Sequence, residues 1–109
     1  MKKELINERE NGFIKADKYK PDFSLVDPYA YEDLAGQLTL GAKKYNKDNW
    51  KKGTLQDYLS AMERHLTDVK KALEEDSIES LNDDTGLQHG AAIMCNAMFI
   101  HYFIRKKLK

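Results

Sequence analysis

Two histidines placed 24 residues apart are the first side chains whose chemistry stands out. His65 lies inside one stretch of helical apolar spacing, and His89 stands near the start of the next. If these stretches form antiparallel neighbouring helices, the two rings approach each other, with Asp84 at the rim and Glu74 near the end of the first helix. Imidazole and carboxylate groups bind Mn²⁺, Zn²⁺ or Mg²⁺. We therefore predict a metal site of His65, Glu74, Asp84 and His89. In the alternative, the Asp84 carboxylate binds no metal and only interacts favourably with the positive N-terminal end of the second helix.

A basic and aromatic segment, GAKKYNKDNWKKG at residues 41–53, is the second candidate site. Tyr45 and Trp50 supply flat faces for a nucleobase. The cations for phosphate are Lys43, Lys44, Lys47, Lys51 and Lys52. A nucleotide needs both within the length of one molecule. In the alternative, the rings pack beneath the loop and the lysines are solvated.

Three further polar residues stand beside these sites. Asn49 precedes Trp50, and Arg64 stands one position around the helix from His65. Asn96 follows His89 by seven residues, so it shares a helix face with it. Because a buried amide without a hydrogen bond costs about 1–3 kcal/mol, Asn96 either holds a neighbouring helix or contacts a ligand.

Three helices must position these residues. Asp27 and Pro28 start the first, which the apolar spacing extends to about residue 45. Thr54 and Asp57 form a capping box for the second, which runs to about residue 75. The third spans about 85–107. We predict an all-α bundle of three main helices at residues 17–109, preceded by a flexible N-terminal arm at 1–16.

Composition excludes several classes of protein. The 109 residues carry 18 basic and 18 acidic side chains, so an extended nucleic acid is not the expected partner. The apolar run at 90–104 is shorter than a membrane span and contains Asn96 and His101, so we interpret it as a buried central helix, with a membrane anchor as the alternative. With one cysteine and no signal peptide, the expected location is the cytoplasm, or the host cytoplasm if a phage encodes the chain. The third helix is apolar around most of its circumference, which predicts a homodimer or higher homo-oligomer.

An ordered series of these residues resembles a known family. The series is Gly41-Ala-Lys-Lys-Tyr45, Asn49-Trp50, Gly53, Tyr58, Ala61, Arg64-His65, Asp84-Thr-Gly86, His89 and Asn96. It resembles the phage and bacterial family described as the dATP/dGTP diphosphohydrolase N-terminal domain, related to MazG-like all-α nucleoside triphosphate pyrophosphatases. The resemblance covers roughly residues 17–100.

The resemblance implies cleavage of a purine deoxynucleoside triphosphate to a monophosphate and pyrophosphate with Mg²⁺ or Mn²⁺, in the control of phage nucleotide pools. The site candidates it implies are Lys44, Tyr45, Trp50, Arg64, His65, Asp84 and His89. Of these we assign catalysis to His65, Asp84 and Arg64, and we leave Asp68 or Glu75 open as general base. Substrate binding then involves Lys43, Lys44, Tyr45, Asn49, Trp50, Arg64 and Asn96.

Two departures from the family pattern have consequences. Tyr19 stands where the family has a glycine, and the E-x-x-E and E-x-x-D carboxylate pairs of MazG-like enzymes are absent. Any metal must therefore be held differently. Two other functions stay open: a phage protein that binds and sequesters a nucleotide without hydrolysing it, and a helical structural adaptor.

Overall fold

Three α-helices form the body of the molecule, as predicted. The computed structural model describes residues 4–8, 12, 14–18, 20–75, 81 and 88–107. Helix α1 spans Pro28–Tyr45, α2 spans Leu55–Glu75 and α3 spans His89–Lys107. The predicted all-α bundle is confirmed. The third helix begins at His89 rather than near residue 85. Residues 82–87 lie outside the described part of the chain.

A two-stranded antiparallel ribbon precedes the helices. Strand β1 (Glu4–Glu8) pairs with β2 (Ile14–Lys18), and the register places Glu4 opposite Lys18. The N-terminal arm predicted at residues 1–16 contains β1 and the first part of β2, and the predicted boundary at residue 17 stays a prediction. Strands of five residues that carry mostly charged and polar side chains give only a weak alternating pattern.

Local hydrogen bonds explain where α1 and α2 begin. The Tyr29 backbone N–H donates to Asp27 Oδ1 at 3.2 Å, and Pro28 occupies the first helical position. At α2, the Asp57 N–H donates to Thr54 Oγ1 at 3.2 Å, and the Thr54 N–H donates to Asp57 Oδ2 at 2.8 Å. These reciprocal bonds form the predicted capping box and satisfy backbone donors that the first helical turn leaves unpaired.

Helix α3 packs against both α1 and α2, and small side chains form the buried centre. The radius of gyration is 18.9 Å, whereas a compact domain of this length has about 13 Å. Among the described residues, no large side chain is fully buried. The described chain therefore covers its apolar side chains incompletely. The buried residues are Ala72, His89, Ala91, Ala92, Cys95 and Asn96.

Among the described residues, the uncovered apolar surface lies mainly on α2, on α1 and before α1 rather than on α3, where the sequence placed it. Among the described residues of α3, the exposed large apolar side chain is Ile104. On α2, Leu59, Leu66 and Leu73 are exposed to 38%, 42% and 74%. None of the described helices is long and apolar enough to cross a membrane.

Candidate functional site

A cleft of about 690 Å³ opens between the C-terminal half of α1, the loop that follows it, and the facing sides of α2 and α3. This volume lies within the range of small-molecule sites in proteins. Polar and aromatic side chains from four parts of the chain converge on it. They include Gln37, Tyr45, Lys47, Trp50, His65 and Asn96.

The loop after α1 is fixed by Trp50. A short 3₁₀-helix (Asn49–Lys52) carries this residue, whose ring stacks on Phe99 at a centroid distance of 4.5 Å and meets Tyr102 edge-on at 4.9 Å. The Tyr58 hydroxyl donates to the Trp50 carbonyl oxygen. These contacts are the packing that the sequence left open as an alternative to base stacking. Trp50 therefore anchors the loop on α3 while still lining the cleft.

Tyr45 presents a more open aromatic surface. It is the last residue of α1, is 55% exposed, and lines the cleft. The Lys44 Nζ lies 5.4 Å from its ring centroid, within the range of a cation–π contact. A flat ring with a nearby cation suits a nucleobase joined to a phosphate.

The turn between Tyr45 and Trp50 holds two residues in unusual backbone conformations. Asn46 has φ 85° and ψ 154°, and Asp48 has φ 61° and ψ 15°. Positive φ is sterically costly for residues other than glycine, and the region near Asn46 is nearly glycine-only. Both residues line the cleft, so the strain lies at its rim.

The structure brings His65 and His89 together. Their Nδ1 atoms are 2.7 Å apart, which is a hydrogen-bonding distance in which one nitrogen donates and the other accepts. His89 is only 5% exposed, and its Nε2 lies 3.9 Å from Asp68 Oδ2. His65 itself lines the cleft. An imidazole pair backed by a carboxylate thus stands at the wall of the cavity.

This arrangement does not form a complete metal cage. Two nitrogens bound to one ion at about 2.1 Å stand roughly 3 Å or more apart, so a pair at 2.7 Å would have to separate. Glu74 lies nine residues beyond His65, about 13 Å along α2 and on the opposite side of the helix. Asp84 lies outside the described residues. Within the described ranges, no group of three His, Cys, Asp or Glu side chains could hold a metal ion.

Two amide side chains add polar groups to the cleft. Asn96 is buried and donates from Nδ2 to the Ala92 carbonyl oxygen at 2.9 Å, which leaves its Oδ1 without a hydrogen bond to described residues. Gln37 Oε1 is buried and has no hydrogen-bond partner in the described part of the chain. The sequence reasoning missed Gln37. Gln37 precedes Gly41 by four residues and Tyr45 by eight, so the three residues share one face of α1. This spacing could have indicated Gln37 as a site residue.

The predicted site residues that the structure describes divide into two groups. Tyr45, Asn49, Trp50, His65 and Asn96 all line the cleft. Five others do not belong to its lining: the exposed Lys43, Lys44, Arg64 and Glu74, and the buried His89 behind His65.

Of the five lysines in the basic segment, Lys47 lines the cleft, whereas Lys43 and Lys44 were the two singled out as substrate-binding residues. Asp48 also lines the cleft, and Lys51 Nζ lies 3.7 Å from its carboxylate and offsets that negative charge. The loop after α1, rather than the last turn of α1, therefore supplies the charge at this rim.

Cys95 also lines the cleft, but its chemistry is suppressed. Burial raises the pKa of its thiol to about 11. The sulfur lies 3.8 Å from the Leu34 carbonyl oxygen, where α3 meets α1. A thiol in this state is protonated at neutral pH, so it serves packing rather than nucleophilic attack.

Comparison with known proteins gives two findings. The family described as "dATP/dGTP diphosphohydrolase, N-terminal" matches residues 10–109. A "dATP/dGTP diphosphohydrolase" of Salmonella phage PMBT28 is 33% identical over 94 residues, which cover 86% of this chain and 30% of that protein. The chain thus spans about a third of the length of this relative. No solved structure gives a significant match.

Proposed function

This chain belongs to the dATP/dGTP diphosphohydrolase N-terminal family, and from that premise we propose that its cleft binds a purine deoxynucleoside triphosphate. We further propose that water is added across the α–β phosphoanhydride, giving a deoxynucleoside monophosphate and pyrophosphate. In a phage this reaction would control the nucleotide pool. The observation that supports the proposal most directly is the convergence of Tyr45, Lys47, His65 and Asn96 on one cavity of nucleotide size.

The base is proposed to lie against Tyr45. This ring is exposed at the cleft rim, whereas Trp50 is already stacked on Phe99. Gln37 Oε1, which has no hydrogen-bond partner among the described residues, and the Asn96 amide oxygen are acceptors that suit the ring N–H and exocyclic amino groups of purines. Local rotation of the Gln37 amide would expose the buried oxygen to the ligand.

The phosphates are proposed to lie along the loop after α1. Lys47 lines the cleft there, and Lys43 and Lys44 stand on the preceding helical turn. Lysine acts on phosphate as a mobile point charge, so exposed ammonium groups can approach a bound triphosphate from the rim. Arg64 is exposed outside the lining, so the contact predicted for it would need a substrate that extends past the cleft.

The imidazole of His65 is the proposed general base. A water oxygen attacks the α-phosphorus, the bond from that phosphorus to the bridging oxygen breaks, and pyrophosphate leaves with the bonding electrons. The proton of the water passes to the His65–His89 pair, and Asp68 near His89 favours the positive charge that results. Positioned acid–base groups of this kind contribute about 10²–10⁴-fold to rate. Asp84 is the second catalytic candidate.

We propose a requirement for Mg²⁺ or Mn²⁺ on the family resemblance. The described residues do not complete a ligand set for either ion. The remaining ligands would have to come from Asp84, from the substrate phosphates, or from other parts of a longer protein like the Salmonella phage relative.

One observation favours a second function, which is nucleotide binding without turnover. The described part of the chain has aromatic, cationic and amide groups around the cleft but no cluster of metal ligands. A sequestering protein needs the first set and not the second. A helical adaptor would need neither.

The deciding experiment measures binding and turnover separately. Trp50 is the only tryptophan in the chain and lines the cleft, so its fluorescence reports occupancy. Each deoxynucleoside and ribonucleoside triphosphate is titrated without metal, with Mg²⁺ and with Mn²⁺. Products are separated by anion exchange. Formation of monophosphate and pyrophosphate supports the hydrolase. Nucleotide that quenches the fluorescence but is recovered unchanged supports sequestration. If the nucleotide is neither bound nor hydrolysed, the adaptor is supported.

Matched variants locate the site. Tyr45→Ala should weaken dATP or dGTP binding by about 5- to 150-fold, since base stacking contributes about 1–3 kcal/mol. Tyr29→Ala is the control, because Tyr29 is exposed before the cleft-lining part of α1. His65→Ala should abolish turnover while binding persists. Equal effects of the two tyrosine variants would refute the proposed position of the base.

A further inference from the structure

Helix α2 carries two parallel stripes, and α3 covers one of them. Tyr58, His65 and Ala72 lie seven residues apart on the covered stripe. Tyr58 packs against Phe99 of α3 at 4.8 Å between ring centroids, His65 meets His89, and Ala72 is buried. This stripe is the helix face that holds the bundle together.

The other stripe, which we name the outer seam, has no described partner of comparable extent. Its spacing alternates between three and four residues, which is the spacing by which two helices pack as a coiled coil. Leu59, Leu66 and Leu73 occupy one line of it and remain 38%, 42% and 74% exposed. The full set is Leu59, Met62, Leu66, Val69 and Leu73.

The charges beside the outer seam indicate what covers it. Glu63 and Lys70 are exposed, seven residues apart, on the side of the seam that faces away from α3. They occupy the same position in successive heptads and carry opposite charges. When two copies of such a helix pack antiparallel about a two-fold axis near Leu66, each Glu63 faces Lys70 of the partner.

A parallel pairing lacks this complementarity. In parallel coiled coils, the position of Glu63 faces the flank on the opposite side of the partner seam. In this chain that flank holds Tyr58, His65 and Ala72, which already pack towards α3. The charges therefore favour the antiparallel arrangement of two identical chains over a parallel one.

We propose that the outer seam is a homodimer interface, in which α2 packs antiparallel against α2 of a second copy of this chain. The interface buries the leucines that the single chain leaves exposed and forms two symmetric Glu63–Lys70 pairs. It would cover apolar side chains of α2 that the described part of one copy leaves exposed. The proposal does not depend on nucleotide hydrolysis.

Sedimentation equilibrium of the 109-residue chain tests the interface. The wild-type chain should be dimeric at micromolar concentration. Leu66→Asp should raise the dimer dissociation constant by at least about 100-fold, because it would bury unpaired carboxylates near the two-fold axis. Lys71→Glu is the control, since Lys71 is exposed on the side of α2 away from the seam, and it should leave the dissociation constant unchanged. Helical circular dichroism and Trp50 fluorescence check that each variant is folded.

Charge reversal tests the orientation independently of folding. Glu63→Lys alone places two lysines together at each pair, and Lys70→Glu alone places two glutamates together, so each variant should dimerise about 10-fold more weakly. An equimolar mixture forms a heterodimer in which both pairs are again complementary, so association should recover. A mixture as weak as its components, or a wild-type chain that stays monomeric, would overturn the proposal.

Discussion

The contact between Tyr58 and Gly53 allows a quantitative test of how the cleft loop is held. The Tyr58 hydroxyl donates to the Trp50 carbonyl oxygen, and its ring passes close to Gly53. A Cβ atom at Gly53 would lie 2.6 Å from the Tyr58 oxygen and 3.0 Å from two of its ring carbons. The backbone of Gly53, at φ −78° and ψ −170°, is extended and open to any residue. The cost of a side chain there is therefore steric rather than conformational.

The two substitutions should be coupled. Tyr58→Phe removes a hydrogen bond to a loop carbonyl, which lowers the free energy of unfolding by about 1 kcal/mol. Gly53→Ala forces the Tyr58 ring to move and should lower the free energy of unfolding by about 1–3 kcal/mol. A small part of this loss is offset because alanine reduces the conformational entropy of the unfolded chain. In the Tyr58→Phe background the 2.6 Å contact disappears while the two 3.0 Å contacts remain. The double variant should therefore lose about 1 kcal/mol less than the sum of the single variants.

Urea unfolding at one fixed protein concentration measures the free energy of unfolding of the wild type, the two single variants and the double variant. Gly36→Ala is the matched control, because a Cβ there meets nothing within 4 Å and Gly36 lies within α1. It should stabilise the chain by up to about 1 kcal/mol. Additivity of Gly53→Ala and Tyr58→Phe within about 0.3 kcal/mol would refute the contact as the reason for glycine at position 53.

Three other predictions concern individual residues. Asn46→Gly should raise the free energy of unfolding by about 1 kcal/mol in urea titrations, because glycine relieves its φ of 85°, and an unchanged midpoint would contradict strain. Thr54→Ala should lower it by about 1 kcal/mol through loss of the cap, whereas Thr67→Ala, exposed within α2, should change it less. Cys95 should react with iodoacetamide at pH 8 about 100-fold more slowly in the folded chain than in urea, because burial raises its pKa to about 11. Equal rates would show that the thiol is accessible.

The helices were predictable because their signals are local. Asp27 and Pro28 start α1, and Thr54 with Asp57 starts α2, through hydrogen bonds that span two or three residues. Such signals are complete within the sequence that carries them. The heptad position of Leu66, and the placement of His65 on the stripe beside it, follow from helix geometry in the same way.

The family was also readable from the order of short motifs, and the match over residues 10–109 confirms it. Which residue of those motifs packs in the fold and which stays open to a ligand could not be predicted from the sequence. Trp50 and Tyr45 are both aromatic residues in one basic loop, yet Trp50 stacks on Phe99 and Tyr45 remains exposed. Which ring packs and which stays open depends on a helix almost 50 residues away in the chain.

By itself, the sequence determined where α1 and α2 begin and end, and the membership of the family, because these depend on neighbours within a few turns. Tertiary structure decided that Lys47 and Gln37 line the cleft, that the Nδ1 atoms of His65 and His89 meet at 2.7 Å, and that the leucines of α2 remain exposed. Each of these depends on the distance and rotation between helices. Those quantities arise from the packing of small residues at the centre of the bundle, which no local pattern specifies.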